Sequence, residues 1–457
     1  MAQNRQWLGR RAFLTAVAGG VAGCAHRTGT TQAAARPRPS PSQLAWQRDE
    51  LALFLHFGVN TFADREWGDG REDPAIFAPA ALDARQWART ARAAGFRALV
   101  LTAKHHDGFC LWPTRTTTHS VARSPFRGGQ GDVVREVADA CRAEGLGLGL
   151  YCSPWDRNHP AYGDSERYND VFIAQLTELL TNYGPLVEVW FDGANGEGPN
   201  GRRQVYDWPR TFAPVRRLQP EAVVFSDAGP DVRWVGNERG VAGETCWSTF
   251  DPAAVPHPGF WQGEETGRIL QQGHADGAVW RPPETDVSIR PGWFWHPAED
   301  ARVRSADDLL QLYRTSVGRN SKLLLNVPPT RDGLLGERDV AALMAFRQRR
   351  DAVDGADLAA GARQRREDRA LTRELPRPVP FDQSVLEEDI RAGQVVAGYV
   401  VEAETAAGWQ QVARGTTVGY RKIDVFEPVT ARSVRVRITE ALAPPRLQAF
   451  RLHASTA

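Results

Sequence analysis

The sequence predicts an α/β protein, a (β/α)8-like TIM barrel followed by a small C-terminal β-sandwich. Three observations carry this. Between Leu51 and about Val353, short and nearly continuous apolar runs alternate with amphipathic segments, as strands of a parallel sheet covered on both faces alternate with their crossover helices. The first runs recur roughly every 40 residues, the period of a βα unit. Beyond about Val353, short strand-like pieces recur with turn residues between them, an all-β pattern. The 457 residues exceed one ordinary core, whereas a barrel of about 250 to 300 residues plus a smaller domain accommodates them.

The chain opens with a segment outside this scheme. Arg10 and Arg11, in GRRAFL, precede an apolar run from Ala12 to Gly23. At about a dozen residues it is too short to span a bilayer and suits an export signal. The paired arginines resemble a twin-arginine signal, and VAGC, Val21 to Cys24, resembles a bacterial lipobox, which implies lipidation of Cys24. Residues 1–24 are thus expected to be an export signal, and the Pro/Ser/Thr/Ala-rich residues 25–43 a flexible tether. The expected location is the periplasm, the outer membrane or the cell surface, with membrane contact only through the anchor at Cys24.

The barrel is expected over residues 44–353. Its strands are LALFLHFGV (from Leu51), RALVLTAKHHDG (Arg97), GLGLGLYCS (Gly145), LVEVWFDG (Leu186), AVVFSDAG (Ala222), DVSIRPGW (Asp286) and KLLLNVPP (Lys322), with an eighth near VRWVG (Val232). Asp83 caps a helix that closes on Gly95, and two further amphipathic segments close on Gly145 and Gly184. A long loop from about Phe250 to Glu284 distorts the later units. An open doubly wound sheet is the alternative, but no GxGxxG follows the first strand. Residues 354–380, charged and then Pro-rich, read as a linker, and 381–457 as the sandwich.

Composition narrows the function. With 56 basic and 55 acidic side chains the net charge is +1, so no field to gather nucleic acid is implied. Fifteen tryptophans tilt the reading toward carbohydrate, because indole faces suit sugar rings. After Cys24, the cysteines Cys110, Cys141, Cys152 and Cys246 form no CxxC pair, and they read as buried thiols.

Barrel enzymes carry their chemistry at the C-terminal ends of strands. Four consecutive strands here end in His56, in Lys104-His105-His106-Asp107, in Tyr151 and in Asp192. A metal held by His56, His105, His106 and Asp192 is one reading. Adjacent strand residues point to opposite faces, however, so His105 and His106 share a site only if the strand has already broken into a loop. The other reading is glycoside hydrolysis, which needs two acids. Asp192 suits the nucleophile; Glu238, in VRWVGNERG, suits the acid, with Glu244 and Glu284 as rivals. A surface lectin that binds without turnover is a third reading.

HFG with His56, EW with Glu66 and Trp67, KHHDGFCLW, LYCSPWD, VWFDGANG and RWVGNERG together resemble glycoside hydrolase family 29, the retaining α-L-fucosidases, in order from about Leu51 to Val353. The resemblance implies a catalytic (β/α)8-like barrel without metal or other cofactor, Asp192 as nucleophile, and a fucosylated oligosaccharide or glycoconjugate as substrate. WVGNE, with PPETDVSIRPGWFWH later, is similar to the branch acting on α-1,3/1,4-linked fucose, which implies Glu238 as acid/base. His56, Glu66, Trp67, His105, His106 and Tyr151 correspond to the family's fucose pocket, with Trp295 as an aromatic wall. GQVVAGYVVEAE, WQQVARGTTVGYRKI and VRVRI resemble the second half of a galactose-binding-like domain; its first half is not recognisable between Val353 and Pro380, which reads as a truncation and points to a structural role.

Overall fold

The computed structural model describes residues 36–454. The export signal, Cys24 and most of the tether lie outside the described residues. The tether's last residues already belong to a helix, α1 (Pro41–Asp49), which Ser40 starts with a capping box.

Strands β1 (Leu51–Leu55), β2 (Ala98–Lys104), β3 (Gly147–Cys152), β4 (Glu188–Trp190), β5 (Val223–Ser226) and β6 (Val232–Trp234) follow in sequence. After a two-stranded ribbon, β7 (Thr249–Phe250) and β8 (Val279–Trp280), come β9 (Pro283–Ser288) and β10 (Lys322–Asn326). The eight strands other than the ribbon form a closed parallel barrel in the order β1-β10-β9-β6-β5-β4-β3-β2. All eight expected strands are present, VRWVG among them. Their apolar character on both faces has a direct cause. Leu51, Leu53, Leu55, Leu99 and Leu101 point outward to the helices, while Ala52, Phe54, Ala98 and Val100 alternate with them to fill the barrel.

Helices α2 (Val59–Ala63), α3 (Ala84–Ala93), α4 (Val133–Glu144), α5 (Ser165–Asn182) and α6 (Trp208–Leu218) occupy the connections through β5. α7 (Glu264–Gln272), α8 (Ala306–Thr315) and α9 (Glu337–Asp354) follow β6, β9 and β10. Asp83 caps α3 by accepting from Gln86 N at 3.0 Å, and Asp132 caps α4 by accepting from Arg135 N at 2.9 Å. α4 stops on Gly145, which takes the left-handed φ of 67° that a side chain resists.

Two expectations need correction. The stretch from Phe250 to Glu284 is not simply a loop, since it holds the β7–β8 ribbon and α7; no helix joins β5 to β6, so one crossover of the barrel is missing. Residues 354–380 are not a linker either: β11 (Arg363–Glu367) and the start of β12 (Ala370–Glu388) lie there. The Pro-rich piece is a bulge inside β12. The pairing of β12 with β15 (Lys422–Ala441) breaks between Glu374 and Val379, so Pro376 and Pro378 sit where no ladder hydrogen bond is asked of them.

β13 (Val396–Thr405), β14 (Gly408–Gly415) and β16 (Leu447–His453) complete the C-terminal unit. Its six antiparallel strands are joined by hydrogen bonds into one continuous sheet. The long, bulged β12 pairs with β11 at its start and β16 at its end, and the sheet surrounds a core that includes Leu371, Phe381, Val401, Val436 and Phe450.

Polar contacts join sheet and barrel. Arg421 donates to Glu50 at 3.1 Å, to Tyr313 at 2.8 Å and to Glu387 at 2.8 Å. α1 covers the end of the barrel where strands begin. Gln43 donates to the carbonyls of Asp231 and Trp280 just ahead of β6 and β9, and the Trp46 indole donates to Glu188, the first residue of β4, at 3.0 Å. The opposite end, where strands finish, is open.

Candidate active site

At that open end lies a cavity of about 550 Å³. Its floor is aromatic: Trp190 and Phe225 stack with centroids 4.1 Å apart and Phe54 stands 5.4 Å from Trp190. Its walls include His56, Glu66, Trp67, His105, His106, Tyr151, Asp192 and Glu238. Thus nine of the chain's expected site positions can be placed, and eight meet here; the ninth, Trp295, does not line the cavity, and Trp293 takes that wall instead.

Asp192 follows β4 by two residues. Its Oδ1 accepts from Ala194 N at 2.7 Å and its Oδ2 from the Tyr151 hydroxyl at 3.1 Å, so both oxygens are oriented before any ligand arrives. Gly193 leaves the strand here because nothing larger fits: a Cβ would lie 1.9 Å from an Asp227 carboxylate oxygen.

β2 ends at Lys104, and His105 and His106 already belong to a turn. That break turns both rings to one side, with centroids 4.1 Å apart. Lys104 faces away, donating to Asp156 at 3.3 Å, Tyr168 at 3.0 Å and Gln175 at 2.8 Å.

The hydrogen bonds around two of the histidines determine their tautomers. The Asn326 amide donates to Ser288 and to the Trp293 carbonyl, so its oxygen faces His56 and accepts from Nδ1–H at 2.9 Å. Ser153 donates to the Trp155 carbonyl and therefore accepts from His106 Nδ1–H at 2.7 Å. Burial pushes His56 down to about 3 and holds His106 below its ordinary value despite the nearby Asp192. Both rings are therefore neutral near pH 7, with Nε2 left as an acceptor; that of His106 lies 3.8 Å from Asp192. His105 is driven well below the ordinary value by burial and by His106 and His56.

Glu238 stands on the turn after β6. Asn237 shapes that turn, accepting from Arg239 N at 3.0 Å and donating to the Val241 carbonyl at 2.9 Å. Burial raises the proton affinity of Glu238, and Asp192 and Glu66 add to it; the Trp293 indole, donating at 3.3 Å, opposes it. Of the rivals, Glu244 is 84% exposed and Glu284 is sealed inside the barrel, where it accepts from the Trp190 indole at 3.0 Å. Glu66 accepts from the backbone N–H groups of Trp293 and Phe294 and contacts His296, so it secures the segment that carries Trp293.

Two carboxyls were not anticipated as site residues. Asp227, just after β5, is pushed up to about 6 by burial and by Asp192. Asp286, on β9, is pushed well above the ordinary range by burial and then by Glu238, and accepts from the Trp234 indole at 2.7 Å. The strand-end rule that picked Asp192 also applies to Asp227. Among the described residues no three His, Cys, Asp or Glu side chains are arranged to hold a metal ion, and the four cysteines are free and buried.

A sequence profile of the α-L-fucosidase family matches residues 46–348. α-L-Fucosidase 1 of Arabidopsis thaliana is 41% identical over 452 residues, covering 91% of this chain and 87% of that protein. The crystal structure of a glycoside hydrolase 29 family member from an unknown rumen bacterium is 41% identical and superposes with a TM-score of 0.87, over 93% of this chain and 78% of that one. A family 29 fucosidase from Ruminococcus gnavus, in complex with fucose, is 30% identical with a TM-score of 0.83, over 94% and 97%.

Proposed function

The chain belongs to the α-L-fucosidases of glycoside hydrolase family 29, and from that premise we propose that it removes terminal α-1,3/1,4-linked L-fucose by double displacement, with Asp192 as nucleophile and Glu238 as acid/base. The observation that carries this is the pairing of unlike carboxyls in one cavity. Asp192 has both oxygens held by donors, while Glu238 retains its proton more readily than a free glutamate.

An Asp192 oxygen attacks the anomeric carbon as the bond to the glycosidic oxygen breaks, and that oxygen takes the proton of Glu238. The ionised Glu238 then accepts a proton from water as the water displaces Asp192, which restores both groups and retains the anomeric configuration. His56 and His106, with acceptor nitrogens, receive hydrogen bonds from ring hydroxyls. The aromatic floor and Trp293 pack against the apolar sugar face and methyl group.

Proton NMR of the first-released fucose tests the mechanism: retention is expected, and inversion overturns it. Asp192→Ala is expected to abolish turnover. Glu238→Ala should recover with azide or with substrates that have good leaving groups, and recovery in Glu244→Ala instead would move the acid/base role. Hydrolysis of Lewis a and Lewis x trisaccharides beside 2'-fucosyllactose tests the linkage, since preference for the α-1,2 bond overturns the branch. The reading extends to an exported form anchored at Cys24, supported by GRRAFL and VAGC alone; loss of membrane association in Cys24→Ser is its check.

A further inference from the structure

Two of the described tryptophans are more than half exposed, Trp67 at 56% and Trp261 at 51%, and both pack on residues that line the cavity. Trp67 is itself part of the cavity wall, whereas Trp261 stands just outside the lining. Trp67 meets His106 edge-on at 5.8 Å, on the Asp192 side. Trp261 packs on Trp234 at 6.0 Å, and Trp234 is a cavity wall four residues ahead of Glu238.

From this placement we propose that Trp261 is the stacking platform for the sugar to which the fucosyl unit is attached. The inference rests on Glu238 being the group that protonates the departing oxygen. The leaving group must then exit past Glu238, and the exposed apolar face on that route is the Trp261 indole. At 51% exposure the indole has a face free to receive a ligand, and the apolar face of a pyranose ring is of matching size.

The surroundings hold Trp261 in place. Gln262 N donates to the buried Thr266 hydroxyl at 3.0 Å, fixing the backbone beside the indole. Gly267 lies inside α7, where glycine is unfavourable. A Cβ there would come within 3.1 Å of Trp261 Cη2 and 3.6 Å of the Gly236 carbonyl. Gly236, at φ +81°, is equally tight against Gly267, since its own Cβ would lie 2.8 Å from the Gly267 carbonyl. The platform and the turn that carries Glu238 therefore rest on the same point of α7, which fixes the distance between the surface that receives the second sugar and the acid that releases it.

The test compares the unaltered enzyme with Trp261→Ala and Trp261→Phe on two substrates: the fucosyl oligosaccharide it cleaves fastest, and α-L-fucosyl fluoride, whose leaving group has no ring. Trp261→Ala is expected to lower kcat/KM for the oligosaccharide about tenfold or more while leaving the fluoride within about twofold. Trp261→Phe should restore most of the loss, and inhibition by the defucosylated product should weaken in Trp261→Ala. Equal loss on both substrates, or no loss on either, overturns the proposal. Failure of the unaltered enzyme to release fucose from either substrate would instead overturn the fucosidase reading beneath it.

Discussion

The Trp293 indole donates its hydrogen to the Glu238 carboxylate, the form that a general acid must avoid before it acts. Removing the donor in Trp293→Phe therefore raises the proton affinity of Glu238 further, because burial and Asp192 remain. The sign follows directly: a carboxyl that holds its proton to higher pH keeps the acid form available longer. The basic limb of the kcat/KM profile is expected to move to higher pH in this variant, and a shift to lower pH would mean that another group sets that limb. At this scale the sequence was legible where a side chain follows a strand, as His56, His105, His106 and Asp192 do, or stands in its last two residues, as Tyr151 does. It was not legible for Trp293 against Trp295. The two lie two residues apart in WFWH, outside any strand, so no periodicity indicates which one faces inward. Asp286 was missed for a different reason: it lies within a strand rather than at its end, where a buried acid reads as a misfit until the neighbouring Trp234 is seen to donate to it.

Among the elements, the helix starts carry their own evidence of strength. Asp132 caps α4 and also accepts from the Tyr183 hydroxyl, at 3.0 Å, at the end of α5, so one carboxylate fixes two neighbouring helices. Asp132→Ala is expected to cost about 1 to 2 kcal/mol, the range of a lost N-cap, seen as a lower unfolding midpoint with kcat/KM on fucosyl fluoride unchanged. The barrel strands were readable because each is apolar on both faces, a pattern that half-buried strands and surface helices do not produce. The ribbon of β7 and β8 was not, since two residues per strand give no period to detect. The proline run in β12 misled for a physical reason: Pro376 and Pro378 forbid a regular ladder, and a bulge answers that constraint as well as a linker does.

For the molecule as a whole, the charged contact at Arg421 ties the sheet to the barrel. Arg421→Met would take the cation from the partly buried Glu50 while Glu387 keeps Arg451, and the loss is expected to cost about 1 to 3 kcal/mol. Calorimetry should show one unfolding transition for the unaltered protein and an earlier one, or two separated ones, for the variant. An unchanged single transition would mean that other contacts join the units. The seating of α1 carries a different consequence. This helix stoppers the barrel at the end where strands begin, so the chain comes into the folded body on the side away from the cavity. An attachment made directly at the start of α1 would therefore hold the sealed end and leave the mouth turned outward. Enzyme displayed in this way is expected to keep its rate on bulky, surface-bound glycans, whereas attachment near Trp67 or Trp261 would slow it by obstruction alone.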